Sequence, residues 1–149
     1  MTKYWREEEL APFRRRIESN LSDTVMTAHV FNARLDADRP ATLSGAVIGG
    51  LLRGRLGFDG VVLSDDMEMK AISSRYGLEQ AIQLAIEAGV DVLCFGNNMN
   101  FDADVGERVS GIIYRLVEEG KIAESRIDQS FRRIQKLKFT LWAGPQTFP

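Results

Sequence analysis

Cysteine and histidine are almost absent from this 149-residue chain, which has one of each, Cys94 and His29. A single cysteine excludes an internal disulfide and a cysteine zinc cluster. A single histidine excludes a histidine-rich metal site within one chain. An excess of one charge is also missing. Lys and Arg total 19 against 21 Asp and Glu, a net charge of −2. Nothing in that balance points to a polyanion, and no nucleic-acid partner is expected. No apolar run approaches the ~18–20 residues that span a bilayer. The opening residues Met1-Thr2-Lys3-Tyr4-Trp5-Arg6-Glu7 hold no apolar signal-peptide core. No membrane partner and a cytoplasmic location are the default expectations. What is present is 44% hydrophobic and 27% charged, the composition of a globular domain. One α/β domain is expected over residues 1–149, with an irregular tail over 140–149.

The apolar periodicity alternates between helix and strand. Residues 5–19 read as an amphipathic helix through Leu10, Phe13 and Ile17, with Pro12 in its first turn if it starts near Ala11. Residues 24–29 read as a strand. Pro40-Ala41-Thr42 opens a second helix whose stripe is Val47, Ile48, Leu51, Leu52 and Leu56, closed by Gly57. Residues 61–63 read as a buried strand, 78–88 as a helix ended by Gly89, and 90–95 as a third buried strand. Helices over 105–118, ended by Gly120, and 125–138 complete the pattern. Such alternation argues for a parallel sheet with helical cover. A closed eight-stranded barrel needs about 250 residues, and at least about 200. The chain is therefore either a small open α/β sheet or a piece of a barrel.

Chemistry concentrates at Leu63-Ser64-Asp65-Asp66, where two carboxylates follow the second strand. Parallel α/β sheets place their chemistry at the C-terminal strand ends, and adjacent like charges resist joint ionisation unless satisfied. Spacing alone leaves two readings open: a cap on a helix starting near Met67, or a catalytic carboxylate. Gly49, Gly50, Gly54 and Gly57 lie within or after a helix, so they form no dinucleotide fingerprint. Arg53 reads as an ion-pairing helix residue, Asp91 as a structural tie between strand and loop, and Cys94 as inert core.

The strings TVMTAHVFNARLDADRPATLS, LLRGRLGFDGVVLSDDMEMKAI and AIEAGVDVLCFG resemble glycoside hydrolase family 3. The nearest subgroup is the β-N-acetylhexosaminidases that act on muropeptide sugars. The resemblance runs from about Leu10 to Leu137. It includes Ser64-Asp65-Asp66-Met67 with Met69, where β-glucosidases of the family more often carry Trp in place of Asp66. The resemblance implies a partial (β/α)8 barrel, matching the sixth to eighth strands, with three parallel strands and open edges. It implies a retaining double displacement with Asp65 as nucleophile and Asp66 as a cap or support; His29 either lines the sugar site or is a satisfied structural histidine, and Met67 either lines that site or packs. The substrate implied is an N-acetylglucosamine-containing glycoside. No metal or organic cofactor is implied, because this chemistry runs on carboxylates. The family's acid/base loop, a Lys-His-Phe-Pro-Gly-His-Gly-like motif, does not occur in the sequence. Two open sheet edges and an uncovered inner face predict association, as a homo-oligomer or with a complementing chain that carries the other strands.

Overall fold

Three short strands lie side by side, all parallel, in the order β1 (Thr24–Met26), β2 (Val61–Asp66) and β3 (Val92–Cys94). The computed structural model describes residues 4–98 and 101–142. Thr24 pairs with Val61 and Met26 with Leu63, while Leu63 pairs with Val92. A 3-10 turn, Glu7–Leu10, leads into α1 (Ala11–Glu18), with Pro12 in its first turn as expected. The β2–β3 connection holds the one-turn α2 (Lys70–Ser73) and α3 (Leu78–Ala88), and β3 is followed by α4 (Val105–Glu118) and α5 (Glu124–Trp142). The parallel sheet with flanking helices is the predicted α/β architecture. Its edges, at β1 and β3, are open.

The β1–β2 connection departs from expectation. In place of one α-helix from Pro40, a 3-10 turn (Ala41–Leu43) precedes a π-helical segment (Ala46–Arg55). Its wider winding is visible where the Leu56 N–H reaches the Leu51 carbonyl at 2.9 Å, five residues back. Long π-helices are rare because wide winding packs poorly. Here Gly49, Gly50 and Gly54 weaken the α-helical preference, and a Cβ at Gly54 would lie only 3.3 Å from the Gly49 carbonyl oxygen. The glycine stops are as read. Gly57, Gly89 and Gly120 all take positive φ, which lets each close its helix without a Cβ clash.

Strand bounds shift for physical reasons. β2 runs through Asp65 and Asp66, so the carboxylates end the strand rather than follow it. β1 and β3 are shorter than read, because each has one neighbour only. For the same reason β3, expected to be buried, is half-buried, Cys94 included. The last helix continues through Trp142, so residues 140–142 are helical where an irregular tail was expected. The rest of that tail, 143–149, lies outside the described residues.

The main core packs Leu43, Ile48, Phe58, Val62, Met67 and Ile72 beneath the sheet, with α3 contributing Ala81, Ala85 and Ala88. A second cluster joins Ile82 and Ile86 of α3 to Val109 and Leu116 of α4 and to Ile122. Burial of this apolar area supplies the main driving force, about 25 cal/mol per Å2.

A buried ionic cluster fastens the start of β3. The Asp91 side chain is 0% exposed. Its Oδ2 accepts from Arg53 at 2.7 Å and from the Val62 N–H at 3.0 Å. Its Oδ1 accepts from Ser130 at 2.7 Å, Arg126 at 3.2 Å and Arg133 at 3.4 Å. Three guanidiniums therefore share one carboxylate. Burial pushes the Arg53 and Arg126 pKa values down, against the pull of Asp91. Arg53 and Asp91 thus take the structural roles read from the sequence.

Candidate active site

The C-terminal ends of the strands gather the acidic pair, His29 and the loop after β3. The strand itself is deformed there. Leu63 pairs with Val92 and Asp66 with Cys94, so Ser64 and Asp65 together face only Leu93. This is a β-bulge, a device that bends a strand and re-aims a side chain. Ser64, 0% exposed, repairs the ladder: its Oγ accepts the Cys94 N–H at 2.8 Å. Val62 and Ser64 are buried while Leu63 and Asp65 are half-buried, and the alternation stops at the bulge, where Asp66 is half-buried too.

Asp65 is held by the backbone of the next residue. Its Oδ1 accepts the Asp66 N–H at 2.8 Å. Oδ2 has no hydrogen bond among the described residues, which leaves that oxygen available. Asp66 carries two hydrogen bonds on one carboxylate oxygen and, like Asp65, none on Oδ2 among the described residues. Its Oδ1 accepts from the Glu68 N–H at 3.0 Å and the Gly96 N–H at 2.9 Å. Its carbonyl accepts the His29 Nε2–H at 2.8 Å. Asp66 thus supports the strand end, joining it to the loops that follow β1 and β3.

A carbonyl only accepts, so the partner of Asp66 fixes a proton on His29 Nε2. The other ring nitrogen, Nδ1, lies 2.9 Å from Thr42 Oγ1, which lies 2.9 Å from Thr27 Oγ1. Thr27 Oγ1 also lies within donating distance, 3.2 Å, of the Leu63 carbonyl. Both ring nitrogens of His29 therefore meet protein groups. Met67 is 2% exposed and belongs to the main core, whereas Met69 is 44% exposed.

The loop after β3 is pinned as well. Glu68 Oε2 accepts the Asn97 N–H at 2.7 Å, and Asn97 exchanges two 2.8 Å hydrogen bonds with the Asp102 backbone. Gly96 is required by close approach: a Cβ there would lie 2.5 Å from Asp66 Oδ2. Thr27, Thr42, Gly96 and Glu68 were not singled out from the sequence. The one available signal was the alternation of Thr27 and His29 at a strand end. No group of three or more His, Cys, Asp or Glu among the described residues could hold a metal ion.

The profile of the Glycosyl hydrolase family 3 N terminal domain matches residues 2–137. The chain belongs to glycosyl hydrolase family 3. Family 3 relatives include a β-hexosaminidase of Tolumonas auensis, 39% identical over 63% of this chain and 29% of its own length. Another, from Alkalilimnicola ehrlichii, is 35% identical over 80% of this chain and 32% of its own. Among solved structures, the family 3 β-N-acetylglucosaminidase from Paenibacillus sp. str. FPU-7 superposes with a TM-score of 0.79 at 41% identity, covering 95% of this chain and 26% of that one. CbsA from Thermotoga neapolitana gives 0.77 at 38% identity, covering 94% and 29%. The chain thus spans about a third or less of the length of these family 3 proteins.

Proposed function

We propose that this chain supplies the nucleophilic segment of a retaining glycoside hydrolase acting on N-acetyl-β-glucosaminides. The observation that carries the reading is the bulged end of β2. There Asp65 is half-buried, oriented through Oδ1 by the Asp66 N–H, and free at Oδ2. A nucleophilic carboxylate needs to be ionised, held and open on one oxygen. Oδ2 would attack the anomeric carbon as a general acid protonates the departing oxygen. Water would then cleave the glycosyl ester, with that acid acting as base. The β-hexosaminidase relatives support the sugar class.

The acid comes from outside this segment. We place it on a complementing family 3 segment that pairs with the open β1 and β3 edges. His29 holds the Asp66 carbonyl, and Met67 packs in the main core. The test is hydrolysis of a chromogenic aryl N-acetyl-β-glucosaminide. The chain is assayed alone and mixed with the part of a family 3 relative that precedes the region matched here. Turnover on mixing, lost in Asp65→Ala, is the expected result. Turnover that survives Asp65→Ala, or none in the mixture, contradicts the reading.

A further inference from the structure

The bulge that exposes Asp65 also removes the ladder that would hold it. Backbone pairing between β1 and β2 ends at Leu63, whose carbonyl accepts the Thr27 N–H at 2.9 Å. On the β3 side, pairing skips from Leu63 to Asp66. Asp65 therefore sits where neither neighbour fixes the chain by regular strand bonds. Its carboxylate is set by one donor, the Asp66 N–H, so its direction depends on how Asp66 is held.

Three contacts hold Asp66, one on its carboxylate and two on the peptide that follows it. The Gly96 N–H holds the Asp66 carboxylate at 2.9 Å from the β3 side. The next amide, Met67 N–H, donates to the Cys94 carbonyl at 2.9 Å. From the β1 side, the His29 Nε2–H takes the Asp66 carbonyl at 2.8 Å. The imidazole thus supplies a donor beyond the point where the β1 ladder stops. Its plane is fixed in turn by Thr42, buried and 2.9 Å from Nδ1, and Thr42 by Thr27.

We propose that His29 is a positioning residue for Asp65: with Thr42 and Thr27 behind it, its Nε2–H holds the carbonyl of Asp66, the residue whose N–H aims the Asp65 carboxylate. The inference rests on Asp65 as the proposed nucleophile. Gln at position 29 retains a terminal N–H donor at comparable reach, whereas Phe fills similar space without one.

The test uses the full chain, in which His29 is the one histidine, so imidazole proton–nitrogen correlation spectra report a single ring. The expected spectrum has a proton on Nε2. Amide hydrogen exchange at Asp66 is then compared with that at Val62, whose N–H is held at the other end of β2 by Asp91. His29→Phe is expected to cut protection at Asp66 relative to Val62 by about tenfold, the scale of one lost hydrogen bond. His29→Gln is expected to restore most of it, and Thr42→Val to give an intermediate loss. A purely space-filling histidine predicts no loss in His29→Phe and none in Thr42→Val. That result, or a ring protonated on Nδ1 alone, overturns the proposal. Failure of the Asp65→Ala turnover test removes the nucleophile reading and leaves these readouts in place, so the two failures are distinguishable.

Discussion

Replacing Asp91 by Asn should unfold the chain far more readily than its single lost charge suggests. The Asp91 side chain is 0% exposed, and its three guanidinium partners are 15–19% exposed. Every neighbour of both oxygens is a donor: Arg53 and the Val62 N–H at Oδ2, and Ser130, Arg126 and Arg133 at Oδ1. An amide has one donor end, so either orientation of the substituted side chain turns an NH2 toward other donors. The three arginines also lose their shared counter-charge. Breaking a buried ion pair from one side costs about 3–5 kcal/mol, a large part of the ~5–15 kcal/mol that holds a domain together. Asp59→Asn is the matched control. Asp59 is 76% exposed and lies 3.5 Å from Arg133 and 3.9 Å from Lys136, so its loss should cost at most about 1 kcal/mol. Urea unfolding followed by circular dichroism gives both midpoints, with the slope as a check on a common unfolded state. If Asp91→Asn falls within about 1 kcal/mol of Asp59→Asn, the cluster is not what secures β3.

Gly96→Ala places a methyl 2.5 Å from Asp66 Oδ2. It should cost about 1–3 kcal/mol by thermal melting and should lower any Asp65-dependent turnover; an unchanged melting point contradicts the close approach. The Asp36 carboxyl lies below its ordinary pKa, chiefly through the Ser44 hydroxyl at 2.6 Å, helped by the Asp38 and Arg39 amides. Its folded value is the lower one, so its stabilisation is complete above the unfolded value of about 3.9 and disappears as pH falls through the folded value. Asp36→Asn should flatten that acid limb of stability, and an unaltered limb counts against the turn. Met26 at 64%, Phe131 at 60% and Trp142 at 92% exposure accompany the two open edges. Light scattering on the eluting protein should therefore give more than one chain per particle, and a well-behaved monomer contradicts that.

The elements with strong periodicity were legible in the sequence. α3 and α4 carry continuous apolar stripes, and Gly89 and Gly120 mark their ends, so their bounds agree with the reading residue for residue. The π-helical segment was not legible, because its stripe of Val47, Ile48, Leu51 and Leu52 fits α winding as well. The five-residue bond from Leu56 to Leu51 and the mutual approach of Gly49 and Gly54 separate the two. Asp65 could be picked out because a carboxylate pair at a strand end is chemically conspicuous. What orients it could not, since the Thr27–Thr42–His29 chain joins residues 13 and 15 positions apart. The Asp66 bond to Gly96 spans 30 positions. Long-range polar contacts of this kind leave no periodic trace in a single sequence. The bulge at Ser64–Asp65 is equally silent, because one extra residue changes register without changing the apolar pattern.

The central claim is that Asp65 forms the bond to the sugar. The direct measurement is peptide mapping by mass spectrometry after treatment with an activated fluorosugar of N-acetylglucosamine, in the mixture with the segment that precedes the matched region in a family 3 relative. Such a probe forms the glycosyl ester faster than water breaks it. The account predicts one sugar increment, on the peptide containing Asp65, and none in Asp65→Ala. An increment on another residue, or turnover without any covalent intermediate, contradicts it.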